Sequence, residues 1–193
     1  NIHEMLRETV ERRRERPAYR WFTAPGQTDE VSWDKFYAQV RRAAQGLIAL
    51  GVGKDDKVTI VSYSCYRWVL CDMAAAVIGA QTVGIYHSLP APDISYIVDH
   101  SDSVVAFAED QIQLVKLFQI REQIPAVRKV ILFSGIVPED DWVVGFDEFM
   151  EMGEPVSENK IDETAAAISL DDVAGIVFTS GTAGFPKGAM LTH

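Results

Sequence analysis

A segment rich in glycine and hydroxyl groups near the end of the 193-residue chain holds the side chains best suited to chemistry. Residues 176–188 read IVFTSGTAGFPKG, an apolar run followed by glycines, hydroxyl groups and a lysine. Gly181 and Gly184 permit positive φ and close backbone approach, so several N–H groups can point into one concavity. Hydroxyl donors and the mobile charge of Lys187 complete a site for an anion. The candidate phosphate-binding positions are Thr179, Ser180, Gly181, Thr182, Ala183, Gly184 and Lys187.

The spacing differs from that of the Walker nucleotide loop, in which Gly, four residues and Gly-Lys-Ser/Thr follow one another. Counted from Gly181, the lysine is preceded by Pro186 and followed by Gly188, and both neighbours are wrong. The spacing excludes a P-loop ATPase or GTPase. The residues alone leave one alternative open, a plain Gly/Thr hairpin with a surface lysine.

The string from Thr179 to Gly188 reads Thr-Ser-Gly-Thr-x-Gly-x-Pro-Lys-Gly. It resembles the phosphate-binding signature of the acyl-adenylate-forming enzymes, which include acyl-CoA synthetases, luciferases and peptide-synthetase adenylation domains. Upstream, residues 28–52 look like the opening hairpin and first long helix of that family. Residues 57–110 resemble its long-chain fatty acyl-CoA synthetase branch, notably over residues 84–90 and 104–110.

This resemblance implies a two-step ligase reaction that uses ATP, Mg²⁺ and coenzyme A. A carboxylate attacks the α-phosphorus of ATP and gives an acyl-adenylate and pyrophosphate, and the thiol of coenzyme A then displaces AMP. The resemblance implies that the loop holds the β- and γ-phosphates and the departing pyrophosphate, while Pro186 and Gly188 shape it. The residues it implies as phosphate ligands are Thr179, Ser180, Gly181, Thr182, Gly184 and Lys187.

The chain departs from the family signature at one position. Ala183 stands where the family usually has Thr or Ser. A hydrogen bond to a charged group is worth about 1.5–3 kcal/mol, so the missing hydroxyl weakens phosphate binding by about ten- to a hundredfold. Water or a neighbouring hydroxyl would offset part of that loss.

Alternating helices and strands must position the loop. Residues 18–22 and 30–33 flank Pro25-Gly26 and predict a short hairpin after a first helix. Ser32 then caps a helix that Gly51 ends. Its apolar face recurs at spacings of four, three and four, at Phe36, Val40, Ala43 and Leu47.

Further along, apolar strands separated by helical stretches predict βαβ crossovers. The predicted strands are residues 57–63, 81–86, 104–108, 129–133 and 173–178. The pattern indicates an α/β protein with a mostly parallel sheet, helices on both faces and a small N-terminal hairpin. The resemblance identifies this architecture as the N-terminal subdomain of the adenylate-forming fold.

We predict three parts along the chain. Residues 1–133 form the α/β subdomain with its opening helix and hairpin, 134–172 an acidic connecting segment, and 173–193 the strand and phosphate loop. The middle part has 12 acidic side chains and one basic one, a net charge of −11 against +1 for the remainder. We expect it to be solvated and partly irregular, with at most two short helices near 146–150 and 163–168. It would carry the chain from one sheet edge to another.

Composition excludes several classes of protein. With 48% apolar and 24% charged residues the chain is globular, and its apolar runs are too short to cross a bilayer. No basic face fits nucleic acid, and four scattered histidines predict no metal site. Two cysteines cannot form a disulfide framework. We expect a cytoplasmic protein whose partners, by the resemblance, are a fatty acid, ATP and CoA; peripheral membrane contact and oligomeric state stay open.

Members of the resembled family continue well past the position of Gly188. The resemblance implies later segments that supply the adenine and ribose contacts, a magnesium-holding glutamate, most of the acyl pocket and a mobile domain with a catalytic lysine. We therefore expect an N-terminal portion of a long-chain fatty acid–CoA ligase without a complete catalytic set, inactive on its own. Two alternatives stay open: another adenylate-forming enzyme that loads a carrier protein or activates an aryl or amino acid, and a non-catalytic binding or assembly module.

Overall fold

The computed structural model describes residues 1–179 and 186–193. The strands in that part of the chain are β1 Pro17–Ala24, β2 Gln27–Ser32, β3 Lys57–Val61, β4 Gln81–Ile85, β5 Ser103–Ala108, β6 Lys129–Leu132, β7 Val143–Gly145, β8 Val173–Thr179 and β9 Lys187–Thr192. The helices are α1 Ile2–Arg13, α2 Trp33–Ala49, α3 Tyr66–Val77, α4 Ala91–His100, α5 Gln111–Gln119, α6 Phe146–Met152 and α7 Glu158–Ala166, with a 3₁₀ turn at Arg121–Gln123.

The strands form two sheets. β1 and β2 pair as an antiparallel hairpin, and the main sheet has the order β7-β6-β5-β3-β4-β8-β9. All neighbours in the main sheet are parallel except β9, which runs antiparallel to β8. The predicted hairpin and mostly parallel sheet are therefore confirmed.

The long helix α2 forms where the apolar spacing predicts it. The hydroxyl of Ser32 accepts a hydrogen bond from the backbone N–H of Lys35 at 3.4 Å and caps the first turn. Phe36, Val40 and Leu47 are fully buried on the face that meets the sheet. A cap at one end and one apolar face are sufficient to fix the helix in place.

Alternation along each strand divides the core between two faces of the sheet. In β3, Val58 and Ile60 pack on the face covered by α1, α2, α3, α6 and α7, which we call the α2 face. Val61 packs on the opposite face, covered by α4 and α5, which we call the α4 face. Helices lie on both faces, as the sequence predicts.

The acidic segment is more ordered than expected. It contains β7, which sequence analysis missed because three residues are too few for a periodic signal. Trp142, Phe146 and Phe149 are buried, so the segment contributes to the core and is not an irregular excursion. Its acidic side chains do face water: ten of the twelve are exposed and the other two half-buried. The division of the chain at residues 133 and 172 stays a prediction.

Close contact between α2 and α6 fixes the path of this segment. A Cβ on Gly46 would lie 2.7 Å from the backbone oxygen of Phe149, and one on Gly153 would lie 2.6 Å from the backbone nitrogen of Gly46. The two glycines therefore let the backbones approach. From β7 at one sheet edge, the chain crosses by α6 and α7 to β8, beside β4 near the other edge. The crossing begins at an edge strand and ends one strand short of the other edge, and the role of residues 134–172 as a connecting segment stays a prediction.

The parallel strands all end at one edge of the main sheet, which we call the carboxyl edge. The connection after β3 leads to β4 on one side, and β5 then pairs on the other side of β3. Such a reversal in strand order opens a crevice at the carboxyl edge, where ligands bind in α/β sheets. The predicted phosphate loop follows β8 at this same edge.

Candidate functional site

Two of the predicted phosphate-binding residues lie opposite each other at the carboxyl end of β8. Thr179 is the last residue of β8, Lys187 is the first of β9, and they form one pair of the antiparallel ladder. The Thr179 hydroxyl donates to the backbone oxygen of Lys187 at 3.5 Å, and both side chains are exposed. The Lys187 ammonium forms no ion pair with any described residue, so it is available to an anion. Ser180, Gly181, Thr182, Ala183 and Gly184 lie outside the described residues.

The position after the lysine has to be glycine for a steric reason. Gly188 pairs with Phe178 across the ladder, and its backbone lies against the Phe178 ring. A Cβ on Gly188 would approach Ile176 Cγ2 to 2.9 Å and the Phe178 ring to 3.3 Å. The absence of a side chain lets β9 pair closely with β8. This contact supports the role in shaping the loop that the sequence suggested for Gly188.

Contacts between neighbouring loops join the carboxyl edge into one surface. The backbone N–H of Tyr63, after β3, donates to the Glu109 carboxylate after β5 at 2.8 Å. The Tyr63 ring stacks on His87, after β4, with ring centroids 3.4 Å apart. The Lys116 ammonium of α5 donates to the backbone oxygens of His87 and Leu89 at 2.5 and 2.9 Å. The loops after β3, β4 and β5 are thus joined to one another, and the loop after β4 is held by α5.

A separate cleft of about 890 Å³ opens on the α2 face, near the ends of β5 and β6. Trp21 of the hairpin stacks on Tyr66 at its wall, with centroids 4.5 Å apart. The Arg67 guanidinium lies over the Phe146 ring at 4.6 Å and forms no ion pair with a described residue. Phe178 and Pro186, at the two ends of the predicted phosphate loop, do not line this cleft.

The titratable group buried under β4 does not belong to the loop site. Burial raises the pKa of Asp72, and the neighbouring Thr82 hydroxyl offsets part of that rise. The Thr82 oxygen is buried and makes no hydrogen bond to the described residues. Both groups lie at the amino end of β4, opposite the carboxyl edge, so we assign them no role in binding phosphate.

The family of AMP-binding enzymes matches residues 6–193, nearly the whole chain. The chain belongs to this family. The membership confirms the family that the phosphate-loop string resembles, and the phosphate-binding role of residues 179–187 stays a prediction.

Among curated AMP-binding relatives, the chain is similar to long-chain-fatty-acid–CoA ligases. It is 29% identical over 196 residues to ACSBG2 of Xenopus laevis, covering 100% of this chain and 26% of that protein. It is 35% identical over 155 residues to FadD15 of Mycobacterium tuberculosis, covering 80% of this chain and 25% of that protein. The chain therefore spans about a quarter of the length of these relatives.

Solved structures of related proteins share the fold. The N-terminal domain of FACL13 from Mycobacterium tuberculosis, with a bound inhibitor, matches with a TM-score of 0.77 at 26% identity, over 100% of this chain and 44% of that one. The anthranilate CoA ligase AuaEII, in complex with anthranoyl-AMP, matches with a TM-score of 0.82 at 21% identity, over 100% of this chain and 34% of that one. These matches confirm the predicted architecture as that of the adenylate-forming N-terminal domain.

Two findings concern the surface of this AMP-binding chain. Within the described ranges, no helix has the length and apolar character needed to span a bilayer. In the same ranges, no group of three or more His, Cys, Asp or Glu side chains converges as a metal site would require.

Sequence reasoning missed two side chains that contact backbone oxygens at the carboxyl edge. Tyr96 of α4 donates its hydroxyl to the backbone oxygen of Pro186 at 3.2 Å, across 90 positions of sequence. Lys116 of α5 holds the loop after β4 in the same way. Neither residue belongs to a sequence motif. A side chain that contacts a distant backbone carbonyl leaves no periodic signal in the sequence. Only the placement of strand ends, from the alternation of elements, indicated that these loops would meet.

Proposed function

We propose that the complete gene product is an ATP-dependent long-chain fatty acid–CoA ligase. The observation that carries the proposal is the string from Thr179 to Gly188 in a chain of the AMP-binding family. The curated relatives, which bear the name long-chain-fatty-acid–CoA ligase, support the fatty acid as substrate and CoA as acceptor. In the first step a carboxylate attacks the α-phosphorus of ATP, which gives an acyl-adenylate and releases pyrophosphate; in the second the thiol of CoA takes the acyl group and releases AMP.

In this proposal the loop binds and neutralises the leaving group of the first step. Hydroxyl and backbone N–H groups and the Lys187 ammonium stabilise the negative charge that grows on the departing pyrophosphate. Lys187 supports this role because its charge is exposed and unpaired among the described residues. The phosphate ligands we propose are Thr179, Ser180, Gly181, Thr182, Gly184 and Lys187.

Ala183 makes the proposed phosphate site weaker than the family signature would. Where the signature has Thr or Ser, the chain supplies no hydroxyl. The expected cost is a factor of about ten to a hundred in affinity for ATP. The same departure is the single sequence feature that favours a non-catalytic module, and a direct assay of adenylation separates the two.

The test is ATP–pyrophosphate exchange with the complete gene product across a panel of carboxylates. We expect exchange with long-chain fatty acids, and thioester formation when CoA is added. Exchange that requires an aryl or amino acid would replace the fatty acid in the proposal, and transfer to a carrier protein in place of CoA would replace the acceptor. No exchange with any carboxylate, from folded protein, would overturn the assignment as an enzyme.

A further inference from the structure

Two side chains on α4 contact both ends of the predicted phosphate loop. Tyr96 and His100 lie one helical turn apart, and their rings stack with centroids 5.2 Å apart and planes 11° from parallel. The Tyr96 hydroxyl donates to the backbone oxygen of Pro186 at 3.2 Å. The His100 ring meets the Phe178 ring edge-on, with centroids 6.2 Å apart. Phe178 immediately precedes Thr179, and Pro186 immediately precedes Lys187.

Resting on the proposed function, we propose that Tyr96 and His100 are positioning residues for ATP. They hold the two ends of the loop against α4, so that Thr179 and Lys187 present their donors to the phosphates at a fixed separation. Neither side chain needs to touch the nucleotide. The contact is made through Phe178 on the incoming strand and Pro186 on the outgoing one.

The loop needs such support because of where it sits in the sheet. β9 is an edge strand, and all six of its residues are exposed. Its pairing with β8 fixes one side of the strand, and the other side has no neighbouring strand among the described residues. The contact from Tyr96 to Pro186 adds a fixed point just before β9 begins.

The helix that provides the support is itself immobilised. Ile94, Ile97 and Val98 of α4 are at most 3% exposed and pack in the core of the α4 face. Tyr96 and Phe178 both pack against the same core. The contacts of Tyr96 and His100 therefore join the loop ends to a rigid part of the molecule, not to another surface segment.

Preorganised loop ends would favour the first half-reaction only. A glycine-rich segment has many backbone conformations to lose when it binds a ligand, so ends that are already held lower the entropy cost of binding. Pyrophosphate has left the loop before CoA reacts, so the second half-reaction gains nothing from it. This difference separates positioning from plain packing, which would lower stability and impair both half-reactions alike.

The experiment uses the complete gene product with Tyr96→Phe, which removes the hydroxyl and keeps the ring. Tyr66→Phe is the matched control, because the Tyr66 hydroxyl also donates one hydrogen bond, to Gln39 at 2.9 Å, but on the α2 face. We expect Tyr96→Phe to raise the KM for ATP in pyrophosphate exchange about two- to tenfold, the effect of one hydrogen bond. Thioester formation from supplied acyl-adenylate, and the Tm, should stay as in wild type for both variants.

A second pair of variants tests the stacked ring. His100→Ala should raise the KM for ATP, while His100→Phe, which keeps an aromatic ring between Tyr96 and Phe178, should restore it. The inference is overturned if His100→Ala and His100→Phe change the KM for ATP equally, or if Tyr96→Phe leaves that KM unchanged. It is also overturned if a variant loses rate equally in the two half-reactions.

Direct binding keeps the inference separate from the proposed function. Calorimetric titration of inorganic pyrophosphate into wild type and into Tyr96→Phe should show weaker binding to the variant, whether or not the protein converts substrate. If wild type exchanges pyrophosphate and Lys187→Ala slows this exchange, while Tyr96→Phe leaves both the KM for ATP and the binding of pyrophosphate unchanged, the proposed function stands and the inference fails. If wild type shows no exchange but pyrophosphate binding depends on Tyr96, the function fails and the inference stands.

Discussion

At the scale of single residues, the proposed chemistry depends on a few polar atoms at the end of one strand. The Lys187 ammonium stands across the ladder from Thr179, exposed and without an ion pair to any described residue. A solvated surface lysine contributes little to stability, so its removal should change the free energy of unfolding very little. Its effect should instead appear in the step in which negative charge leaves the substrate.

We expect Lys187→Ala to slow adenylate formation at least about tenfold, the effect of one lost hydrogen bond to a charged group. Thioester formation from preformed acyl-adenylate should change much less, because pyrophosphate has left before that step. The comparison requires both half-reactions of the complete gene product. Lys160→Ala, at an exposed lysine of α7, is the control and should leave both rates unchanged. Equal losses in the two steps would point to a folding defect and contradict the role.

Gly188 offers a residue-scale test of how β9 pairs with β8. Gly188→Ala would place a methyl group within 2.9 Å of Ile176 and 3.3 Å of the Phe178 ring. We expect a loss of about 1–3 kcal/mol in the free energy of unfolding, typical of an inserted methyl group that neighbours must accommodate. Denaturant titration measures it. Gly53→Ala is the matched control, because a Cβ there has no heavy atom within 4 Å, and a loss as large at Gly53 would refute the steric explanation.

At the scale of elements, a hydrogen-bonded chain of side chains joins three helices on the α2 face. The Arg41 guanidinium of α2 donates to the Asp162 carboxylate of α7 at 2.7 Å and to the Tyr37 hydroxyl oxygen at 3.5 Å. That leaves the Tyr37 proton for the His3 Nε2 atom of α1, 3.3 Å away. Burial lowers the pKa of His3 and so favours the neutral ring, whose unprotonated Nε2 can accept this proton.

The network predicts a specific loss of stability at mildly acidic pH. Burial lowers the pKa of His3 below 6.5, so the unfolded chain takes up this proton more readily than the folded one. The contribution of His3 is fully present above about pH 6.5 and is lost as the pH falls toward the lowered folded value. Measured between pH 7.5 and 5, the Tm of wild type should fall more steeply than that of His3→Gln. Parallel curves for the two proteins would contradict the assignment of a neutral His3.

The sequence predicts those elements whose signals are local. The spacing of Phe36, Val40, Ala43 and Leu47 is sufficient to place α2, because period and cap agree. The same reasoning does not predict β7, because this strand has only three residues and its position is fixed by pairing with β6. The helix predicted near 163–168 begins earlier, at Glu158. Its first turn carries charged residues without an apolar period, so the sequence pattern does not show where the helix starts.

The candidate site likewise has one part that the sequence predicts and another that it does not. Its phosphate-binding string is contiguous and visible in the sequence, although the structure describes only Thr179 and Lys187 among the predicted ligands. Tyr96, His100 and Lys116 were not predicted. They make contacts between elements far apart in sequence, which no spacing rule encodes.

At the scale of the whole molecule, charge and apolar surface are unevenly placed. Residues 134–172 carry a net charge of −11, which accounts for the −10 of the whole chain, and their acidic side chains point mainly into water. Apolar side chains are exposed where the sheet ends, at Val177, Met190 and Leu191, with exposed fractions of 48%, 69% and 55%. A packed sheet at one end and an uncovered strand pair at the other are consistent with a chain that spans a quarter of its relatives' length.

The 193-residue chain by itself should fold yet show no catalysis. Its sheet is covered on both faces over β3 to β7, and the two cores are large enough for a stable domain. Thr179 and Lys187, however, are open to water, and nothing among the described residues encloses a nucleotide beside them. Holding the carboxylate in line with the α-phosphorus supplies much of a lowered barrier, and an open pair of donors cannot do so.

The test is incubation of the purified chain with ATP, Mg²⁺ and a long-chain fatty acid, followed by analysis for AMP and acyl-adenylate. We expect none above the level of Lys187→Ala. ATP or pyrophosphate binding should be weak and should fall further as salt rises, because the Debye length is about 10 Å at 0.1 M and the Lys187 charge is exposed to solvent. Turnover above that control would mean that these 193 residues contain a complete site, and the phosphate loop would then act without the segments that the longer relatives add.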